Sequence, residues 1–451
     1  MADCMAEERL SLDDLTQLFA KGVKPKSQFS IGAEHEKIVF QRPSHAAVPY
    51  DGPSGIEALL KGLMRFGWDP VEEDGKIIAL SRDGASVSLE PAGQFELSGA
   101  ALPDVHAVHA ETLQHLEEAK AVGAELGLGF SAIGFTPTWR RDDVHVMPKG
   151  RYNIMRRYMP LKGKLGLDMM LRTCTVQSNL DFSSEADMVA KFRMSLALQP
   201  ITTALMANSP FVEGKPTGLL SNRANVWTDT DPDRTGMLDF VFEDGFSFQR
   251  YAEYALDVPM YFVKRGHHYI DVAGRSFRDF IAGRLPELPG QCATIKDWND
   301  HTTTIFPEVR LKQFLEMRGA DTGPASRISG LQALWAGVFY DEAARDAALD
   351  LAKGWTREDR VSLRRSAFER GLHGEVAGRP VQDVARDLIA IAAEGLKRRA
   401  MLNADGEDER IYLDELAEIA DTGVTPAEHL LALYNGPWQG DADKAYEATA
   451  Y

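Results

Sequence analysis

Ile31-Gly-Ala-Glu34-His-Glu36-Lys-Ile-Val-Phe40 is the stretch whose reading decides the fold. It reads as the end of a strand running from Gln28 to Phe40. In a strand, Glu34 and Glu36 point to one face together with Gly32, Ile38 and Phe40. Two carboxylates side by side on a largely apolar face repel each other and lose solvation unless a cation compensates them. A hard divalent ion with oxygen ligands does so. The alternative is an exposed edge strand whose glutamates face water. On this strand alone the two readings weigh equally.

Outward from it, Ser11 to Ala20 reads as a short amphipathic helix and Gly55 to Phe66 as a second one. Lys76 to Leu97 reads as a strand pair turned at Gly84 and Pro91-Ala-Gly93. A long helix is expected over Val105 to Leu126, a strand over Gly129 to Phe135 and another over Arg172 to Phe182. A helix follows from about Glu185 to Ala207, and Phe306 to Arg318 is extended in character. After Ser329 the chain turns mostly helical, ending in a helix opened by Thr425 as N-cap, Pro426 at the first helical position and Glu428 as capping-box partner. Strands interleave with helices without βαβ spacing. This predicts an α+β fold with a mainly antiparallel sheet and a helical C-terminal third. With no repeat and no low-complexity linker, residues 1–451 read as one catalytic domain, with 1–27 a helical extension and 330–451 a helical portion packed on it.

Two further acidic strands tip the balance towards a cation site. Ser88-Leu-Glu90-Pro-Ala-Gly-Gln-Phe-Glu96 sets Glu90 and Glu96 around a turn. In Phe306-Pro-Glu308-Val-Arg310-Leu-Lys-Gln-Phe-Leu-Glu316-Met-Arg318, Glu316 and Arg318 share a face, so a metal-binding acid sits beside a phosphate-binding guanidinium. Glu308 and Arg310 read better as an ordinary salt bridge. Five glutamates on three strands suit two or three Mg²⁺ ions that clamp the phosphoryl group of ATP. Cationic residues gather at Lys149-Gly-Arg151-Tyr152 and at Arg223-Ala-Asn-Val-Trp227, both suited to carboxylate capture. A solvated helix face is the simpler reading of Arg156 and Arg157. Gly127-Leu-Gly129-Phe-Ser-Ala132 mimics a dinucleotide turn but runs from helix to strand, the reverse of what such a turn needs. Gly214-Lys215-Pro216 is no P-loop. No nucleophile–base pair stands out among eleven scattered histidines, and Cys174 reads as a packed thiol.

Composition sets the outer bounds. With 50 basic against 67 acidic residues and a net charge of −17, a general nucleic-acid binder is not expected. Neither is a membrane protein, since no apolar run approaches the ~18 residues of a span. The acidic N-terminus does not resemble a secretory signal. Cys4, Cys174 and Cys292 are too few and scattered for a disulfide framework. A reducing, cytoplasmic setting is the expectation.

Gly32-Ala-Glu34-His-Glu36-Lys37, Leu89-Glu90-Pro-Ala-Gly-Gln-Phe-Glu96-Leu-Ser-Gly-Ala100, Met147-Pro-Lys-Gly-Arg-Tyr152, Arg172-Thr-Cys-Thr-Val-Gln177 and Arg318-Gly-Ala-Asp321 together resemble glutamate–cysteine ligase of the plant and proteobacterial type. The resemblance implies a glutamine synthetase-like fold. It implies ATP-dependent ligation of the γ-carboxylate of L-glutamate to the amine of L-cysteine through γ-glutamyl phosphate, the first step of glutathione synthesis. ATP and Mg²⁺ are the implied cofactors, and the working form is a monomer or homodimer. Carried over, Glu34, Glu36, Glu90, Glu96 and Glu316 are metal-binding acids, with Glu34, Glu36 and Arg318 catalytic. Arg151, Arg223, Trp227 and Tyr261 bind substrate, and Arg318 and Lys149 contact the nucleotide. Gln177 stands where distant relatives use a metal-site histidine. Where the plant enzymes place two regulatory disulfides, this chain has His109, Ser329, Val272 and Glu287, which implies no thiol switch of that kind.

Overall fold

The computed structural model describes residues 9–266 and 268–451. A nine-stranded sheet carries the molecule. Its strands are β1 (Ile31–Gln41), β2 (Asp69–Glu73), β3 (Lys76–Arg82), β4 (Ala85–Leu89), β5 (Phe95–Ser98), β6 (Leu128–Ser131), β7 (Thr175–Leu180), β8 (Val309–Leu311) and β9 (Leu315–Asp321). The order is β8-β9-β7-β1-β5-β4-β3-β2, with β6 pairing the far half of β1. Every pair in it is antiparallel. The expected α+β class with a mainly antiparallel sheet and a helical C-terminal third is what the chain adopts. The region expected as a strand pair between Lys76 and Leu97 holds three strands, because each of its two turns closes a separate hairpin.

The helices that matter for the site are α1 (Val105–Leu126), α2 (Gly150–Tyr158), α3 (Glu185–Leu205), α4 (Asn222–Val226), α5 (Ala325–Phe339), α6 (Arg357–Arg370), α7 (Asp414–Thr422) and α8 (Pro426–Asn435). Their ends are set locally. Asp104 caps α1 by accepting from Ala107 N–H, and Gly127 closes it at φ 71°, a left-handed conformation that suits glycine. The GxGxxA stretch is therefore the helix-to-strand turn it was read as. Thr425 and Glu428 form the capping box of α8. Among the described residues no helix is long and apolar enough to cross a membrane.

β1 explains the layering. Its odd residues Ile31, Ala33, His35, Lys37 and Val39 are all buried. The ring of His35 meets that of His115 on α1, 5.8 Å away, which marks this face as the one turned to the helix. Lys37 is fully buried there; its Nζ donates to the carbonyls of His35 (3.2 Å) and Phe95 (3.4 Å). Burial pushes its ammonium down to about 7. The even residues Glu34 and Glu36 face the opposite side, where the site is built. α5 packs behind β1 and β7, filling the main core with Leu331, Leu334 and Trp335.

One irregularity aims a side chain. β9 pairs β7 as Glu316 with Asn179 and Met317 with Ser178, then slips one residue before Ala320 meets Val176. This bulge leaves Arg318 and Gly319 opposite Gln177 alone, and bulges beside active sites re-aim side chains in this way. Gly319 is required at that point: a Cβ there would stand 2.6 Å from the amide of Gln199 on α3.

Candidate active site

The acidic wall is built by register. Glu36 on β1 lies directly opposite Glu96 on β5, and Glu34 opposite Ser98. Glu90 follows β4 at the Pro-Ala-Gly turn, two residues beyond Ser88, which itself pairs with Glu96. Ser98 and Ser88 donate to the two oxygens of Glu96 at 2.9 and 3.2 Å. Thr175 N–H donates to Glu36 (2.9 Å), and Asn179 Nδ2 to Glu34 (2.8 Å). These bonds orient the carboxylates without neutralising them. Burial, then repulsion from Glu90 and Glu96, holds the Glu36 carboxyl well above its ordinary value. Burial and Glu90 raise Glu96. Burial, with Glu316 and Glu96, lifts Glu34 to about 7. Mutual repulsion of this kind is what a bound divalent ion relieves, so these acids fit one. Among the described residues no three acidic, histidine or cysteine side chains are already gathered as a ligand set.

Glu316 behaves differently. It is fully buried, and Arg310 donates to it through Nε and through Nη2 at 2.9 Å. Arg318 Nη1 stands 3.1 Å away and Lys312 Nζ 3.4 Å. Burial works to raise its carboxyl, but Arg310, Lys312 and Arg318 together hold it well below the usual range. With these cations around it, Glu316 does not share the uncompensated state of the other acids. The expected Glu308–Arg310 ion pair is not formed either. Arg310 goes to Glu316, and Glu308 is paired instead with Arg364 of α6 at 2.8 Å.

The cationic wall faces the acids across a cavity of about 90 Å³. Glu36, Glu90, Arg151, Arg223, Trp227 and Arg318 all line it. Arg223 sits on α4, whose N-cap Ser221 also donates to Asp321 (2.7 Å). Ser209 Oγ accepts from Arg223 N–H (3.2 Å) and donates to Asp321 (2.7 Å). The buried Asp321 at the end of β9 thus fixes the base of Arg223 through two serines. Arg223 Nη2 donates to the Arg318 carbonyl (2.7 Å), but its Nε and Nη1 meet no acceptor. Arg151 Nε and Trp227 Nε1 are likewise buried without acceptors. Buried donors left unpaired cost about 1–3 kcal/mol each, and an acidic ligand in the cavity would satisfy them. Arg318 Nη1 also donates to Gln177 (2.5 Å), so Gln177 positions the arginine.

Not every expected residue reaches the cavity. Lys149 is tied to the Leu89 carbonyl (2.8 Å) and reaches the acids by charge, with burial holding it down to about 8. Tyr261 is buried outside the cavity lining, its hydroxyl 3.4 Å from Asp231 and its ring stacked under Arg234; the neighbouring Phe262 lines the cavity instead. Sequence reading also missed Gln94, which spans from Ala92 N–H to the carbonyls of Met170 and Thr173. Arg156 and Arg157 are exposed, as the simpler reading had it. His109 and Ser329 are brought together at 2.8 Å, while Val272 is buried and Glu287 pairs with Arg275. Cys174 is free and buried. Cys292 is disulfide-bonded, whereas three scattered cysteines pointed to no disulfide framework and a reducing setting.

The model of glutamate–cysteine ligase family 2 matches residues 30–448. The chloroplastic glutamate–cysteine ligase of Arabidopsis thaliana is 53% identical over 448 residues, covering 99% of this chain and 84% of that protein. The chloroplastic ligase B of Oryza sativa subsp. japonica is 51% identical over 445 residues, covering 98% and 88%. The solved glutamate–cysteine ligase of Francisella tularensis, in complex with AMP, superposes with a TM-score of 0.55 at 12% identity, covering 95% of this chain and 88% of that one. At that identity the likeness speaks for the fold. The plant relatives are named chloroplastic, which overturns the cytoplasmic placement expected from composition.

Proposed function

The chain belongs to glutamate–cysteine ligase family 2, and from that premise we propose that it joins the γ-carboxylate of L-glutamate to the amine of L-cysteine at the expense of ATP. The observation that carries this reading is the pairing of unsatisfied buried donors with uncompensated carboxylates across one cavity. A carboxylate is a poor electrophile, because its charge repels an amine and oxide is a poor leaving group. Transfer of the ATP γ-phosphoryl group to the γ-carboxylate gives an acyl phosphate and ADP. The cysteine nitrogen then attacks the carbonyl carbon, the C–O bond to phosphate breaks, and the ammonium proton is lost. Such chemistry asks the protein for position and charge rather than for a nucleophile.

In this reading Arg223 takes the glutamate α-carboxylate with its free fork edge, aided by Trp227 and Arg151. Arg318, aimed by the bulge and held by Gln177 and Glu316, faces the phosphoryl group. Lys149 adds positive charge near the nucleotide end. Glu34, Glu36, Glu90 and Glu96 would hold Mg²⁺, which when bound neutralises phosphate charge. Glu316 serves to aim Arg318 in place of the ligand role expected from sequence. In this reading the described residues act as one catalytic unit, since α5 backs the site strands and α6 supplies Arg364 to Glu308; the first eight residues of the expected 1–27 extension lie outside them. The test is turnover with glutamate labelled with ¹⁸O in the γ-carboxylate. One label is expected in the released phosphate when cysteine is the acceptor; label-free phosphate would refute the acyl-phosphate route.

A further inference from the structure

A second cavity, of about 490 Å³, shares no lining residue with the catalytic one. It lies between the N-terminal ends of α5 and α8, with α7 along one side. Its volume falls in the range of small-molecule sites, roughly 300–1,000 Å³. Arg327, in the first turn of α5, lines it with only 11% of its side chain exposed. Arg327 Nε pairs with Glu415 Oε1 at 2.9 Å, while its Nη1 is buried without an acceptor. Burial pushes this guanidinium down from its ordinary value. α5 opens on Pro324 with no side-chain cap, so its first backbone N–H groups add positive potential at the same place. Glu415, beside Arg327, and Glu418 also line the cavity, and Ile419 and Leu430 supply an apolar wall.

We propose that this cavity binds a small zwitterion carrying an α-carboxylate and an ammonium group, a free amino acid or short peptide. The carboxylate lies against Arg327 and the first turn of α5, the ammonium towards Glu415 and Glu418, and the side chain on Ile419 and Leu430. A bidentate guanidinium–carboxylate contact supplies orientation as well as energy. Phosphate fits less well, because the two glutamates repel a compact dianion.

The probes are L-leucine, N-acetyl-L-leucine, which keeps only the carboxylate, and L-leucinamide, which keeps only the ammonium. Binding to the full chain is followed by saturation-transfer NMR. Leucine should bind best, N-acetyl-leucine more weakly and leucinamide not measurably. Arg327→Leu should weaken leucine at least tenfold. Because that variant removes a buried ion pair, Val424→Trp, which places bulk at a half-exposed position in the cavity lining, provides a second block. Arg223→Ala strips the catalytic carboxylate fork and should leave leucine binding unchanged, so this result stands apart from the proposed reaction. Loss of leucine binding in Arg223→Ala but not in Arg327→Leu or Val424→Trp would overturn the proposal. So would equal binding of leucinamide, or no binding by any probe.

Discussion

Replacing Glu34 by glutamine removes one charge from the acidic wall while its Oε1 keeps the bond from Asn179 Nδ2 (2.8 Å). In the folded chain the Glu34 carboxyl is held at about 7 against an ordinary 4.5, through burial and the repulsion of Glu316 and Glu96. Below pH 4.5 the group is protonated whether the chain is folded or not, and it contributes nothing to stability. Between pH 4.5 and 7 the unfolded chain ionises first, and stability drains away. Above pH 7 the full penalty stands, about 3 kcal/mol from the displacement alone and about 1–2 kcal/mol once partial solvent contact is allowed for. Without Mg²⁺, Glu34→Gln should therefore melt about 1–2 °C above the parent at pH 8 and level with it at pH 4.5. Turnover should fall by orders of magnitude over the same preparation. Thermal melts by circular dichroism in EDTA at the two pH values decide it. A variant no more stable at pH 8, or equally stabilised at both, would show that Glu34 is not an uncompensated carboxylate.

Arg223→Lys keeps a charge but loses the bidentate fork, so the KM for glutamate should rise about 10- to 100-fold with kcat changed less, as read by steady-state ADP release. Gly319→Ala drives a methyl into Gln199 and should lower stability by about 1–3 kcal/mol and cut kcat through Arg318, measured by melting and initial rates. Cys174→Ala, at a buried thiol that burial pushes well above its ordinary value, should retain catalysis within about twofold; loss beyond tenfold in a folded variant would give this thiol a role in the reaction.

The sequence was informative where a property is local or periodic. Glu34 and Glu36 share a face because strand geometry leaves no choice, and the capping box at Thr425 was readable from three residues. The acidic strands were legible as candidates, since carboxylates on apolar faces need an explanation. What was not legible depends on pairing across the chain. Nothing near Glu316 says that Arg310 will take it and leave Glu308 to an arginine 56 residues on. The Asp321–Ser209–Ser221 junction joins positions 100 and 112 residues apart. Tyr261 and Phe262 are neighbours in sequence, yet Tyr261 is held by Asp231 and Arg234 while Phe262 lines the cavity.

The bulge in β9 has a consequence for tolerance of change. Its surplus residue lets Met317 and Ala320 both enter the core while Glu316, Arg318 and Asp321 stay on the site side. Removing Gly319 would restore an even ladder with Ala320 still opposite Val176 and Asp321 still opposite Thr175, so what is lost is the local geometry that aims Arg318. Keeping Gly319 in a ladder without the bulge would instead turn the Asp321 carboxylate into the apolar interior, and Ser209 and Ser221 would lose the anchor that seats Arg223. Chain length in this segment is thus a functional quantity in its own right. Deletion of Gly319 should therefore leave a folded chain with the Asp321 anchor intact and turnover cut through Arg318, as read by melting and initial rates.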